Sequence, residues 1–168
     1  AEVYFLLMSG AGVGVDVSKR YIEKIPKVKK LNGEKQKIVF DDSKEGWAIG
    51  TMEVCQAMWE GCDVEWDLSK LRPQGARLKT FGGRSSGPGP LDETLHFIKH
   101  MVEAHRDRKL SSINAFDIIT KIANSVVVGG VRRSSIITLS DLYDSGMRNA
   151  KQGQFWVTNA HRAMSNNS

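Results

Sequence analysis

The sequence predicts an α/β fold, and three observations predict it. Stretches with apolar residues at helical spacing trade places with stretches that alternate at period two. Glycine turns stand ahead of the strands. The composition is that of a globular chain, 40% apolar and 26% charged over 168 residues. That length supports one domain with a core.

The opening "EVYFLLM" reads as the last turns of a helix that stops at Ser9-Gly10. Val13, Val15 and Val17 then alternate with Gly14 and Asp16, which is strand period, so Gly10-Ala11-Gly12 is the tight turn between them. Residues 27–37, "KVKKLNGEKQK", are basic and polar with a turn signal at Asn32-Gly33. They read as an exposed excursion in the form of a hairpin, and residues 38–40 as a short strand. Trp47, Ala48, Met52, Cys55, Met58 and Trp59 fall near helical spacing, with Ser43 as N-cap and Gly61 as stop. Val64, Trp66 and Leu68 alternate with acids, as in a half-buried strand.

Leu95, Ile98, Met101 and Val102 share a helix face, and Asp92 and Glu93 suit the start of that helix electrostatically. The next helix is expected to open on a capping-box-like Asn114-x-x-Asp117. Ile118, Ile119, Ile122 and Val126 line its buried side, and Gly129-Gly130 end it. Ile136, Ile137 and Leu139 resume a strand. The remaining stretch is polar, with Phe155 and Trp156 as its anchor.

Twenty-four Lys+Arg against 19 Asp+Glu leave a formal charge of +5. That excess suits a small anionic ligand or nucleic acid, and equally a basic soluble domain with no anionic partner. No aromatic-and-basic interleaving supports nucleic-acid binding. Cys55 and Cys62, seven residues apart, could share one face of a helix. With no C-x-x-C spacing they read as reduced packing residues of a cytoplasmic chain rather than a zinc site. No basic region precedes the apolar run near the N-terminus, and no run reaches membrane-spanning length. Both ends, "AEVYFLLMSG" and "AMSNNS", read as cuts through structured sequence, so a fragment or split piece is expected.

Three glycine-bearing turns are the chemical candidates. "SGAGVGVD" places Gly10 and Gly12 as in a dinucleotide fingerprint, but Val15 holds the third position and the turn precedes a strand. It is either a site where a ligand presses on backbone or a close-packed turn. "FGGRSSGPGPLDE" has the Gly82-to-Gly87 spacing of a P-loop, with Pro88 where lysine belongs. Ser85, Ser86 and Gly87 precede a proline-started helix beside Arg77 and Arg84, so the stretch reads as a phosphate site or a structural turn. "VVVGGVRRSSI" offers two arginines that could fork onto phosphate or simply be solvated. His96 and His100 have a metal-capable i, i+4 spacing, but Phe97 replaces the glutamate of His-Glu-x-x-His, so a helix-surface pair is expected. No catalytic triad can be argued for His105 or His161.

"RPQGARLKTFGGRSSGPGPL", then "VVVGGVRRSSIITLSD", then "HRAMSNNS" resemble, in order, the class II, adenosylcobalamin-dependent ribonucleotide reductases. The likeness runs from about residue 6 to 168 and is nearest the monomeric branch that reduces ribonucleoside triphosphates. The resemblance implies part of a ten-stranded α/β barrel with an inserted effector-site segment. Residues 1–26 would start the barrel, 27–69 would be the insertion, and 70–168 would be a barrel segment with the specificity loop. The family's reaction makes 2′-deoxyribonucleotides for DNA synthesis by thiyl-radical chemistry. Adenosylcobalamin breaks its cobalt–carbon bond, and a dithiol protein of thioredoxin type re-reduces the redox cysteines.

Matched residue by residue, the resemblance places Ala11 and Gly12 against the substrate, with Asn167 as a further substrate-side residue. Val131, Arg132, Arg133 and Ser134 fall in the loop that links a deoxynucleoside triphosphate effector to the substrate base. Gly83, Ser85, Ser86 and Gly87 fall in a phosphate-binding or supporting loop. The family's catalytic cysteines match nothing here: Cys55 and Cys62 lie in the insertion. The chain alone is therefore expected to be inactive, to work with the remaining segments of the reductase, and to leave most cobalamin contacts to them. No metal ligand, nucleic acid or membrane partner is implied. The alternatives are a non-catalytic nucleotide-binding module and a basic nucleic-acid binder.

Overall fold

Among the described residues, two parallel β-sheets organise the chain, with helices linking their strands. A computed structural model describes residues 1–77, 84–128 and 135–167. Helix α1 (Glu2–Met8) ends in a turn where Gly10 takes φ +79°, and strand β1 (Gly12–Asp16) follows directly. The expected helix–turn–strand is thus present. A short α2 (Lys19–Ile22) precedes β2 (Lys35–Val39), α3 (Lys44–Glu60) and β3 (Asp63–Asp67).

β2 pairs in parallel with β3, Lys35 beside Asp63 and Val39 beside Asp67, making a β-α-β unit. The hairpin expected at residues 27–37 is therefore corrected. The backbone there is used elsewhere. Val28 exchanges hydrogen bonds with Arg108 and Asp107, Lys29 N–H donates to Trp59 O, and Asn32 N–H donates to Gly61 O. Val28, read as part of an exposed excursion, is fully buried. This strap, residues 26–32, ties the end of α3 to the corner at residues 105–109.

Helix α3 has the predicted limits. Ser43 Oγ accepts from Gly46 N–H at 2.8 Å, and Gly61 closes the helix at φ +96°. A Cβ on Gly61 would lie 2.2 Å from the Lys30 carbonyl oxygen. Cys62 therefore lies beyond the helix stop and does not share a helical face with Cys55, although both cysteines are free.

Helix α4 (Gly89–Ala104) buries Leu91, Leu95, Ile98 and Val102, with Met101 half-buried. Helix α5 (Ser112–Val128) starts one turn earlier than expected. Its capping pair is Ser111 with Asn114: Ser111 N–H donates to Asn114 Oδ1 at 3.0 Å, and Asn114 N–H to Ser111 Oγ at 3.4 Å. Asp117 is no cap; it sits mid-helix and buried. Phe116, Thr120, Ala123 and Val126 are buried, while Ile118, Ile119 and Ile122 are half-buried against the core. Burial pushes the Tyr4 phenol far above its usual pKa, against a weaker opposing effect of its 2.9 Å hydrogen bond with Ser125 on α5.

β4 (Ser135–Leu139) pairs in parallel with β1, and β5 (Ser165–Asn167) in parallel with β4. Between them lie α6 (Ser145–Arg148), α7 (Phe155–Thr158) and the 3-10 turn Ala160–Met164. Trp156 does not anchor this stretch. It is 61% exposed and meets Phe155 edge-on at 5.6 Å. Met147, Ala150 and His161 supply the anchor instead. The β1-β4-β5 sheet buries Val13, Ile136, Thr138 and Ser165 on one face. Its other face carries Gly12, Gly14, Ile137, Leu139 and Asn166, all exposed. Parallel sheets with helical connections make the fold α/β, as predicted.

Candidate functional site

The open sheet face begins at the turn out of α1. Gly10 N–H donates to Leu7 O and Ala11 N–H to Leu6 O, which closes the helix and delivers Ala11 and Gly12 to the sheet edge. A Cβ on Gly10 would meet nothing within 4 Å, so its positive φ, not crowding, calls for glycine there. Gly12 stands beside Ser135, and a Cβ on Gly12 would lie 3.2 Å from Ser135 Oγ.

The register therefore sets the first glycine-bearing stretch beside Ser135 and Ile136, the described end of the last one in the chain. Gly12 sits beside Ser135, the first residue of β4, and Ala11 precedes it. Val131, Arg132, Arg133 and Ser134 themselves lie outside the described residues, as does Gly83. Asn167 is placed elsewhere. It pairs with Thr138, which pairs with Val15, three residues along from the Gly12 row. Asn166, which the sequence reading passed over, shares a row with Ile137 and Gly14 on the open face. The signal that could have found it is parity: Ser165 is buried beside Ile136, so the next residue must face the other way.

The third glycine stretch folds back on itself. Arg77 and Arg84 form an antiparallel bridge, Ser85 N–H donates to Ala76 O, and Gly75 N–H donates to Ser85 O. Gly87, at φ +74°, donates its N–H to Ser85 Oγ at 3.0 Å, and a Cβ there would press on Gln74 at 2.9 Å. Arg84 Nη1 donates to Gly75 O at 3.0 Å. Two amides that a phosphate cradle would use, at Ser85 and Gly87, are engaged inside the loop. Arg72 Nε, 2.7 Å from Asp42, fastens the loop to the segment before α3.

A buried ionic cluster joins α5 to the 3-10 turn that leads into β5. Arg162 forks onto Asp117, Nε to Oδ1 at 2.6 Å and Nη2 to Oδ2 at 2.8 Å, and its Nη1 donates to Ala150 O at 2.8 Å. His161 Nε2 lies 3.1 Å from the same Oδ1, and Phe97 of α4 meets the His161 ring edge-on at 5.1 Å. Burial alone would raise the Asp117 carboxyl. The hydrogen bonds and charges of Arg162 and His161 outweigh it and hold the carboxyl below its usual range.

Two other features bear on chemistry. An open cleft of about 670 Å³ lies between β3 and α4, lined by Trp66, Lys99, His96 and His100 with Glu65, Asp92 and Glu103. Trp66 Nε1 donates to Asp92 at 2.7 Å, and the Trp66 and His96 rings meet edge-on at 4.8 Å. His96 and His100 are exposed, as expected of a helix-surface pair, and no three metal-ligating side chains converge among the described residues. Burial pushes the Cys55 thiol up to about 11, which disfavours a thiolate. Among the described residues no helix is long and apolar enough to cross a membrane.

The fold is that of an α/β chain in which a small-residue turn, Ala11-Gly12, stands beside the start of a neighbouring parallel strand. Residues 20–102 match the family description "B12-dependent ribonucleotide reductase, insertion domain". An adenosylcobalamin-dependent ribonucleoside-triphosphate reductase of Lactobacillus gasseri is 30% identical over 96% of this chain. The enzyme of the same name from Euglena gracilis is 34% identical over 79% of the chain. A putative one from Mycobacterium phage D29 is 29% identical over 93%. The crystal structure of a B12-dependent (class II) ribonucleotide reductase superposes with a TM-score of 0.85 at 26% identity over 99% of the chain. The chain spans 27% of the Lactobacillus gasseri relative and 28% of the crystallised one. The chain belongs to the class II, adenosylcobalamin-dependent ribonucleotide reductases.

Proposed function

We propose that this chain is the nucleotide-handling segment of a reductase that converts ribonucleoside triphosphates to 2′-deoxyribonucleotides. The observation that carries the reading is the register of Gly12 beside Ser135. It sets the small-residue turn, through which a ribose could meet bare backbone, against the start of β4. The stretch ahead of β4 holds Arg132 and Arg133, suited to an anionic effector, a deoxynucleoside triphosphate.

On this reading the β1-β4-β5 sheet belongs to a larger ten-stranded barrel, and residues 27–69, which hold the β2-β3 unit and lie within the 20–102 insertion-domain match, are the effector-site insertion. The Ser85–Gly87 stretch supports its loop rather than cradling phosphate, because Ala76 O takes the Ser85 amide and Ser85 Oγ takes the Gly87 amide. Asn167 stays a proposed substrate-side residue only through its exposed position at the end of β5, since its row with Thr138 and Val15 alternates away from the Gly12 face. The radical step and the exchange with a thioredoxin-type reductant fall to other segments, since the half-buried Cys55 has its thiol pKa pushed up and the buried Cys62 lies against Glu34 and Asn32.

Adenosylcobalamin supplies the radical chemistry in this family when bound. The described cleft does not fit it, because a corrin needs a broad apolar face and three acids line this one. Its contacts are assigned to the remaining segments.

Calorimetric titration of the reductase with a deoxynucleoside triphosphate tests the reading. Arg132→Ala is expected to weaken effector binding by roughly tenfold, as loss of a charged hydrogen bond does. An unchanged effector response in the variant would remove the specificity-loop assignment.

A further inference from the structure

The three residues of β5 are Ser, Asn and Asn, with no apolar side chain to fix which row each occupies. A polar strand of this kind specifies its own register weakly, and a slip of one residue would exchange its two faces. Yet β5 lies in a single register against β4, with Ser165 buried and Asn166 on the open face. Three contacts converge just before and at its start. Arg162 forks onto Asp117, His161 joins the same carboxylate, and Ser165 Oγ meets Thr138 Oγ1 at 2.7 Å where Thr138 is fully buried. Lys151 Nζ also donates to Ser165 O.

We infer that Asp117 is a positioning residue: through Arg162 and His161 it sets the register of β5 and so holds Asn166 in the Gly14–Ile137 row, where it contacts the substrate. A buried ion pair adds little net stability once desolvation is counted, but it can select one arrangement among several. The planar guanidinium makes two bonds at fixed spacing, so it defines distance and direction together. Asp117 also belongs to α5, the helix that runs up to residues 129–134. The same carboxylate therefore references β5 to the helix ahead of the proposed specificity loop. The inference rests on the reading that the open face beside Gly12 is the substrate side.

Two measurements test it. Hydrogen exchange of the full chain should show Arg162→Lys, which keeps the charge and loses the fork, deprotecting the amides of residues 165–167 by about tenfold, while β1 and the middle of α3 keep their protection. Steady-state kinetics of the reductase should show Asn166→Ala and Arg162→Lys each raising KM for the ribonucleoside triphosphate by roughly fivefold, with kcat changed less than about twofold. The double variant should match Asn166→Ala alone, because both act through one contact. A merely structural role for Arg162 would lower the active fraction and leave KM in place. Unchanged exchange at residues 165–167, or additive KM effects, would overturn the positioning role. If Asn166→Ala leaves KM unchanged, the substrate-side reading of this row fails, whatever the exchange data show.

Discussion

Gly61 is fixed by two independent constraints, a left-handed φ of +96° and the Lys30 carbonyl 2.2 Å from where a Cβ would stand. Gly61→Ala is expected to destabilise the fold by about 2–3 kcal/mol, read from urea unfolding. Asp117 makes a pH prediction. Its folded carboxyl is held below the usual value of 3.8, so its contribution to stability is present above that value and fades as pH falls through the lower folded value. Asp117→Asn should therefore lose most stability at neutral pH, and the gap from the parent chain should narrow on acidification below about pH 4. A gap that stays constant down to pH 2 would contradict this.

At the scale of elements, the strap of residues 26–32 has one guanidinium beneath it. Arg106 Nη1 donates to Met58 O at 2.6 Å and to Lys29 O at 3.1 Å. Arg106→Met should cost about 2 kcal/mol by removing the donor to Lys29 O and leaving Met58 O with only the Gly61 N–H, with early hydrogen exchange at Lys29 and Asn32 as the local sign. A stability loss with no change in strap exchange would remove the role. Elements with strong local signals were readable from sequence: Ser43 and Gly61 bound α3, and alternating Val64 and Trp66 marked β3. What was not readable was long-range. "KVKKLNGEKQK" carries a turn signal at Gly33, and only its hydrogen bonds to residues distant in the chain, Trp59 and Arg108 among them, decide that it is a strap and not a hairpin. Asn114 and Asp117 have cap spacing, and only Ser111 upstream and Arg162 far downstream reassign them.

At the scale of the molecule, β1 pairs with β4, more than 100 residues away in sequence, and that pairing sets Gly12 beside Ser135. The sequence carried the family through its motifs, and it carried Ala11 and Gly12 as candidates. It could not carry the row assignments, because Asn166 and Asn167 are chemically alike and only the ladder to β4 tells them apart. The reading turns on whether the Gly12 edge meets a nucleotide. The direct measurement is the kinetics of Gly12→Val in the reductase, where valine methyls would fill the exposed edge beside Ser135 without a forbidden φ. The expected result is a KM for ribonucleoside triphosphate raised about tenfold or more, with effector affinity unchanged. An unaltered KM in a folded variant would contradict the proposed site.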